Sequence, residues 1–204
     1  MLSVLISLGV WQILRLNYKN HIINEVKHNR SMPPIMIDFK DDHIYKNVRI
    51  RGRFINEKTI FYYRLKNNIP GYEILTPFVF RDNSCVLVSR GWTKEIIQIP
   101  LSNEYITVEG FVVGIYRKNL FNPKNDFERN MWFSLDIPDI NRYTSVNCLP
   151  YVILLSSPEG VIIGEEIGFD ISNLPNKHLE YSLTWFAMAA ILIIIFVIDF
   201  KRAK

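Results

Sequence analysis

Residues 181–198 read YSLTWFAMAAILIIIFVI, eighteen positions without a charge, and a helix apolar on every face has few places to go in a soluble fold. At ~1.5 Å per residue it spans ~27 Å, close to the ~30 Å hydrocarbon core of a bilayer. Tyr181 and Trp185 stand at one end, and Phe200, Lys201, Arg202 and Lys204 close the other. Membrane interfaces favour aromatic and basic edges of this kind. Residues 178–200 are expected to form a transmembrane helix in contact with membrane lipid, followed by a basic cytoplasmic tail at 201–204.

A second apolar stretch opens the chain. Residues 1–14 are apolar except for Ser3, Ser7 and Gln12, but fourteen residues reach only ~21 Å. That length also suits a signal-peptide core, yet no basic residue stands before it and no small-x-small cleavage site follows. We expect 1–16 to be an uncleaved first membrane helix whose upstream part is missing, with 17–32 as a helical extension and linker. No Arg-rich, Ser-rich, acid-poor transit segment is visible, which favours a bacterial inner membrane over a mitochondrion. Orientation by charge is divided: the cluster at 201–204 places the C-terminus in the cytoplasm, whereas Arg15, Lys19, Lys27 and Arg30 argue the opposite. The 166 residues from Arg15 to Glu180 carry 21 basic and 19 acidic side chains, and a domain that size crosses a membrane largely regardless of charge.

Pro33-Pro34 breaks the helical pattern, and alternation takes over. In Val48-Arg49-Ile50-Arg51-Gly52-Arg53-Phe54, apolar residues and Gly52 hold one parity and three arginines the other, which describes a half-buried strand. Further strands are expected at 73–80, 84–89, 105–116, 131–135 and 151–155, with Arg81-Asp82-Asn83-Ser84 as a hairpin connection. A short helix fits between Asp136 and Cys148, capped by Asp136 or Asp139. The predicted fold class is a membrane-anchored, mainly β protein: two transmembrane helices, N- and C-terminal, bracket an antiparallel β-sheet or small-barrel domain at 33–177. Two cysteines cannot build a disulfide scaffold. We expect Cys85 and Cys148 to serve as small apolar residues, with one bridge open to them in an oxidising compartment.

Chemistry is sparse. A net charge of +4 from 24 basic and 20 acidic residues is too mixed to argue for nucleic acid. There is no HExxH, CxxC, glycine-rich phosphate loop or nucleophile elbow. Asp41-Asp42-His43, the one acid–imidazole cluster, is expected in a solvated loop. His178 differs by position, because His178, Tyr181 and Trp185 are spaced i, i+3, i+7 and share a helix face at the membrane surface. An imidazole beside aromatic surfaces suits a planar cofactor whose iron needs an axial ligand. An interfacial aromatic belt, with His178 as a mere anchor, explains the same spacing.

Several blocks occur in order along the chain: Gly9-Val10-Trp11-Gln12-Ile13-Leu14-Arg15-Leu16 with Lys19, the 48–54 strand, Thr76-Pro77-Phe78, Val86-Leu87-Val88-Ser89-Arg90-Gly91-Trp92, Val108-Glu109-Gly110, and Trp132 before Leu135-Asp136. The last and most specific is His178-Leu179-Glu180-Tyr181-Ser182-Leu183-Thr184-Trp185-Phe186. Together they resemble the surfeit locus protein 1 family of cytochrome c oxidase assembly factors. The resemblance implies a hairpin membrane protein with its β-rich middle on the outer side, which in a bacterial inner membrane is the periplasm. It implies help in maturing the haem a and copper centre of oxidase subunit I; a haem a synthesis enzyme is a further expected partner, and with no cysteine pair or histidine cluster to carry redox or copper chemistry no catalysis is expected. The family's haem-associated histidine corresponds to His178, a tentative haem-iron ligand, with Tyr181 and Trp185 as its neighbours. Ser182 stands where alanine is usual. Arg90-Gly91-Trp92 matches a block too, but a tight turn with Trp92 in the core accounts for it. The alternative from a different class is a membrane-tethered scaffold for oxidase subunits that never touches haem.

Overall fold

The computed structural model describes residues 1–37, 43–81, 84–115, 122–157, 161–165, 167 and 177–202. It divides into two compact units, 29–169 and the pair of terminal segments 1–28 and 170–204.

The unit 29–169 is built on strands β1 (Ile35–Met36), β2 (Asn47–Phe54), β3 (Ile60–Tyr63), β4 (Tyr72–Arg81), β5 (Ser84–Thr93), β6 (Ile106–Gly114), β7 (Met131–Trp132) and β8 (Asn147–Ser157). Their order is β1-β2-β6-β8-β5-β4-β3-β7, and β2 also pairs with β4. That extra pairing closes β2, β6, β8, β5 and β4 into a small barrel, which removes the exposed edges an open sheet would leave. Closure needs two strands to approach closely. Gly52 sits where Arg53 and Phe54 pair with Val79 and Phe78, and a Cβ there would collide with the Val79 carbonyl. The alternation read from the sequence holds along β2: Val48, Ile50, Gly52 and Phe54 face inward and Arg49, Arg51 and Arg53 outward. Phe54, Phe78, Val86, Val108 and Ile153 are among the buried residues of the barrel core.

The barrel corrects the expectation of a purely antiparallel sheet. β5 runs parallel to β8, β1 parallel to β2, and β3 parallel to β7. A parallel neighbour needs a long crossover, and the chain from β6 through α2 (Ile137–Thr144) to β8 lies between β5 and β8 in sequence. Asp136 takes the N-cap position of α2, and Ser145 ends it in the left-handed conformation at φ 62°. β4 and β5 form the expected hairpin, with Arg81 opposite Ser84; Asp82 and Asn83, the turn itself, lie outside the described residues, as does residue 116 of the strand expected at 105–116.

Three local expectations change. The strand expected at 131–135 shrinks to β7, and β5 continues four residues beyond Ser89, because Trp92 exchanges backbone hydrogen bonds with Glu165 at 2.7 and 2.8 Å. Arg90-Gly91-Trp92 is thus a strand end rather than a tight turn; only Gly91 is irregular, at φ +116° with Gly164 packed against it. Cys85 and Cys148 are neither free nor merely apolar. They stand opposite each other on β5 and β8 and form a disulfide across 63 residues of chain.

In the second unit, helix α1 (Leu2–Ser31) is continuous through the apolar opening and the polar segment after Leu14. Helix α3 (His178–Arg202) has a mean hydropathy of 2.5 over its most apolar window, of which only 6% is buried. Among the described residues α3 is the one helix long and apolar enough to cross a membrane. The two-span expectation is corrected to that extent: α1 is helical, but Arg15, Lys19 and the residues beyond dilute its apolar character. The helices touch through small residues. Phe186 of α3 occupies the space a Cβ on Gly9 would need, and Ser182 and Ala189 are buried, the pattern by which helices approach closely where lipid replaces water.

Candidate functional site

His178 is the first residue of α3, so α3 delivers His178, Tyr181, Ser182 and Trp185 on successive turns. Tyr181 is 54% exposed, while His178 and Trp185 are half-buried. Among the described residues no ring contact joins Tyr181 to Trp185, and Trp185 lies about two turns along α3 from His178.

The imidazole is held from one side. Its Nδ1 lies 2.7 Å from Oε1 of Gln12 on α1. The contact engages Nδ1 with the Gln12 side-chain amide, the donor being set by the tautomer, and leaves Nε2 outside this hydrogen bond. Histidines that bind metals are oriented in this manner, with one ring nitrogen fixed by a hydrogen bond and the other left for the ion. Gln12 escaped the sequence reading as a site residue, although it was one of three polar residues in an apolar opening. The helices also meet where Gly9, one turn from Gln12, packs against Phe186, about two turns along α3 from His178.

The rest of the ionisable chemistry does not gather. Among the described residues no group of three or more His, Cys, Asp or Glu could hold a metal ion, so any iron ligation here rests on a lone imidazole, which is the donor set an axial ligand needs. His43, expected in a solvated loop, is 8% exposed; Asp41 and Asp42 lie outside the described residues. In the barrel, burial and the neighbouring Glu73 charge push the Tyr62 hydroxyl pKa upward. Glu73 is itself completely buried, and its Oε2 accepts from Arg64 Nη1 at 2.7 Å.

Comparison with known proteins decides the lineage: the SURF1 family model matches residues 1–190. The chain belongs to the SURF1 family. It is 30% identical to a SURF1-like protein of Rickettsia felis over 96% of this chain and 92% of that protein. A SURF1-like protein of Rickettsia conorii is 29% identical over 98% and 88%, and surfeit locus protein 1 of Xenopus tropicalis is 28% identical over 90% and 68%. Membership implies a role in cytochrome c oxidase assembly. The rickettsial relatives and the apolar α3 point to a membrane-associated bacterial protein.

Proposed function

We propose that the protein is a non-enzymatic assembly factor that holds haem a transiently at His178 on its way to subunit I of cytochrome c oxidase. The observation that carries this reading is the Gln12–His178 hydrogen bond at 2.7 Å. It engages Nδ1, leaves Nε2 as the ring nitrogen that would meet iron, and aims the ring from two helices instead of one. Tyr181 and Trp185 offer aromatic surface to a planar ligand along the same helix. A bound haem would supply an iron able to accept a ring nitrogen of His178, and the protein's part would be to hold, orient and release it. Subunit I and a haem a synthesis enzyme are the partners this route requires.

The same reading places the barrel in the periplasm of a bacterial inner membrane, with α1 as a short first span. The Cys85–Cys148 disulfide supports this side, since bridges persist in oxidising compartments and are rare in the cytosol. A second reading rests on the same hydrogen bond: a histidine that staples α1 to α3 makes a rigid scaffold for oxidase subunits without any haem.

Co-expression with haem a synthesis enzymes, purification and absorption spectroscopy separates the two. His178→Ala and His178→Gln are expected to insert normally yet lose or shift the Soret band. Gln12→Leu should keep some haem with a shifted spectrum, because the ligand stays but its orienting partner goes. Normal haem occupancy and an unshifted spectrum in both His178 variants would leave the scaffold reading standing and remove the ligand reading.

A further inference from the structure

Within the barrel unit, a cavity of about 520 Å³ opens beside the end of β5, and one of its walls is the Arg90 side chain. Arg90 is 7% exposed. Its Nε donates to the Val161 carbonyl at 2.8 Å, its Nη1 donates to Asn56 Oδ1 at 2.7 Å, and its guanidinium carbon lies 4.4 Å from the Phe54 ring centroid. Asn56, 5% exposed, is locked in turn by its Nδ2, which donates to the Ser102 carbonyl at 3.2 Å. These partners fix the guanidinium in place, and all of them are neutral.

Among the described residues no carboxylate lies within ion-pair distance of Arg90. Burial lowers its pKa to about 10, so at neutral pH it remains a cation. A guanidinium taken out of water without a counter-charge is unfavourable, whereas one that meets an anion in a sheltered site makes its strongest interactions. Two of its five N–H groups are engaged with the protein. The Nη2 pair has no partner among the described residues, and a planar fork of that kind matches a carboxylate.

The rest of the cavity describes what carries the charge. Phe54, Pro100, Ile106, Val161 and Ile162 give it a largely apolar wall. Glu104 also lines it, and a second negative charge nearby penalises a dianion more than a monoanion. We propose that this cavity binds a small acid, a single carboxylate on an apolar body, with Arg90 as the residue that takes the carboxylate. The site uses no residue of α1 or α3 and stands apart from the haem proposal, so either can fail without the other.

The test uses the full chain in lipid nanodiscs, with empty nanodiscs as blank, and isothermal titration with 4-phenylbutyrate, 4-phenylbutanol and inorganic phosphate. The acid is expected to bind saturably at one site per chain, with the alcohol and phosphate each at least tenfold weaker. Arg90→Gln should weaken the acid at least tenfold and leave the alcohol unchanged. Since Arg90→Gln removes two internal hydrogen bonds, Ser102→Trp serves as a second variant. Ser102 is an exposed cavity residue whose bond to Asn56 comes from the backbone, so the indole should fill the cavity and abolish acid binding without changing the melting temperature. No binding by the wild-type chain, equal affinity for acid and alcohol, equal affinity for phosphate, or unchanged affinity in Ser102→Trp would each overturn the proposal.

Discussion

Single residues in this protein act through neighbours that lie far away in sequence. Trp92 is 3% exposed, its Nε1 donates to the Arg64 carbonyl at 2.9 Å, and a Cβ on Gly71 would strike its ring. Its burial was legible, since the sequence reading put Trp92 in the core, although at a tight turn and not at the strand end where it stands. The partners were not, because Arg64, Gly71 and Glu165 converge on it only after β3, β4 and the 161–165 segment are in place. Trp92→Ala is expected to cost about 3–5 kcal/mol through the cavity left behind and to lower protein abundance. Denaturant melts and immunoblots check it. A variant that accumulates and melts like the wild type, yet fails to support oxidase assembly, would make Trp92 part of a binding surface instead. Arg90 and Gln12 teach the same lesson more sharply. Each is a polar residue in an apolar block, and only the fold shows that one faces a cavity and the other a histidine 166 positions away.

At the scale of elements, period decided legibility. β2 announced itself because its two parities carry opposite chemistry, and α3 because its charge-free length leaves few alternatives. β3, Ile60-Phe61-Tyr62-Tyr63, was missed: Ile60 and Phe61 are both buried while Tyr63 is 37% exposed, so the strand shows no alternation to read. The parallel pairing of β5 with β8 has no local signature at all, and the disulfide depends on it. For a bridge closing 63 residues of chain, the loss of cross-link entropy from the unfolded state amounts to about 4 kcal/mol. Replacing both Cys85 and Cys148 by serine should lower the midpoint of denaturant unfolding accordingly. Alkylation of the membrane-isolated chain, followed by mass spectrometry, should find both cysteines protected until a reductant is added. Quantitative alkylation without reductant would show that the pair is not bridged in the cell.

For the whole molecule the open question is sidedness. If the barrel is periplasmic, a new cysteine at Lys124, an exposed residue between β6 and β7, should react in intact cells with a membrane-impermeant maleimide. A cysteine at Lys201, near the end of α3, should react only after lysis. The native cysteines add no background while they are bridged. Labelling at Lys201 with protection at Lys124 would invert the topology and place the disulfide in a reducing compartment, where it would not persist.

Composition, order and period were enough to point to a C-terminal helix long and apolar enough to cross a membrane, a β-rich middle and a resemblance to the SURF1 family, since each depends on residues near one another in the chain. Closure of the barrel through β2 and β4, the reach of β5 into Trp92 and the Cys85–Cys148 bridge were settled only by tertiary structure. So were the neutral hydrogen-bond partners of Arg90 and the contact between Gln12 and Nδ1 of His178. All of these join residues whose separation along the chain carries no periodic signal, and a contact of that kind exists only once the intervening elements have packed.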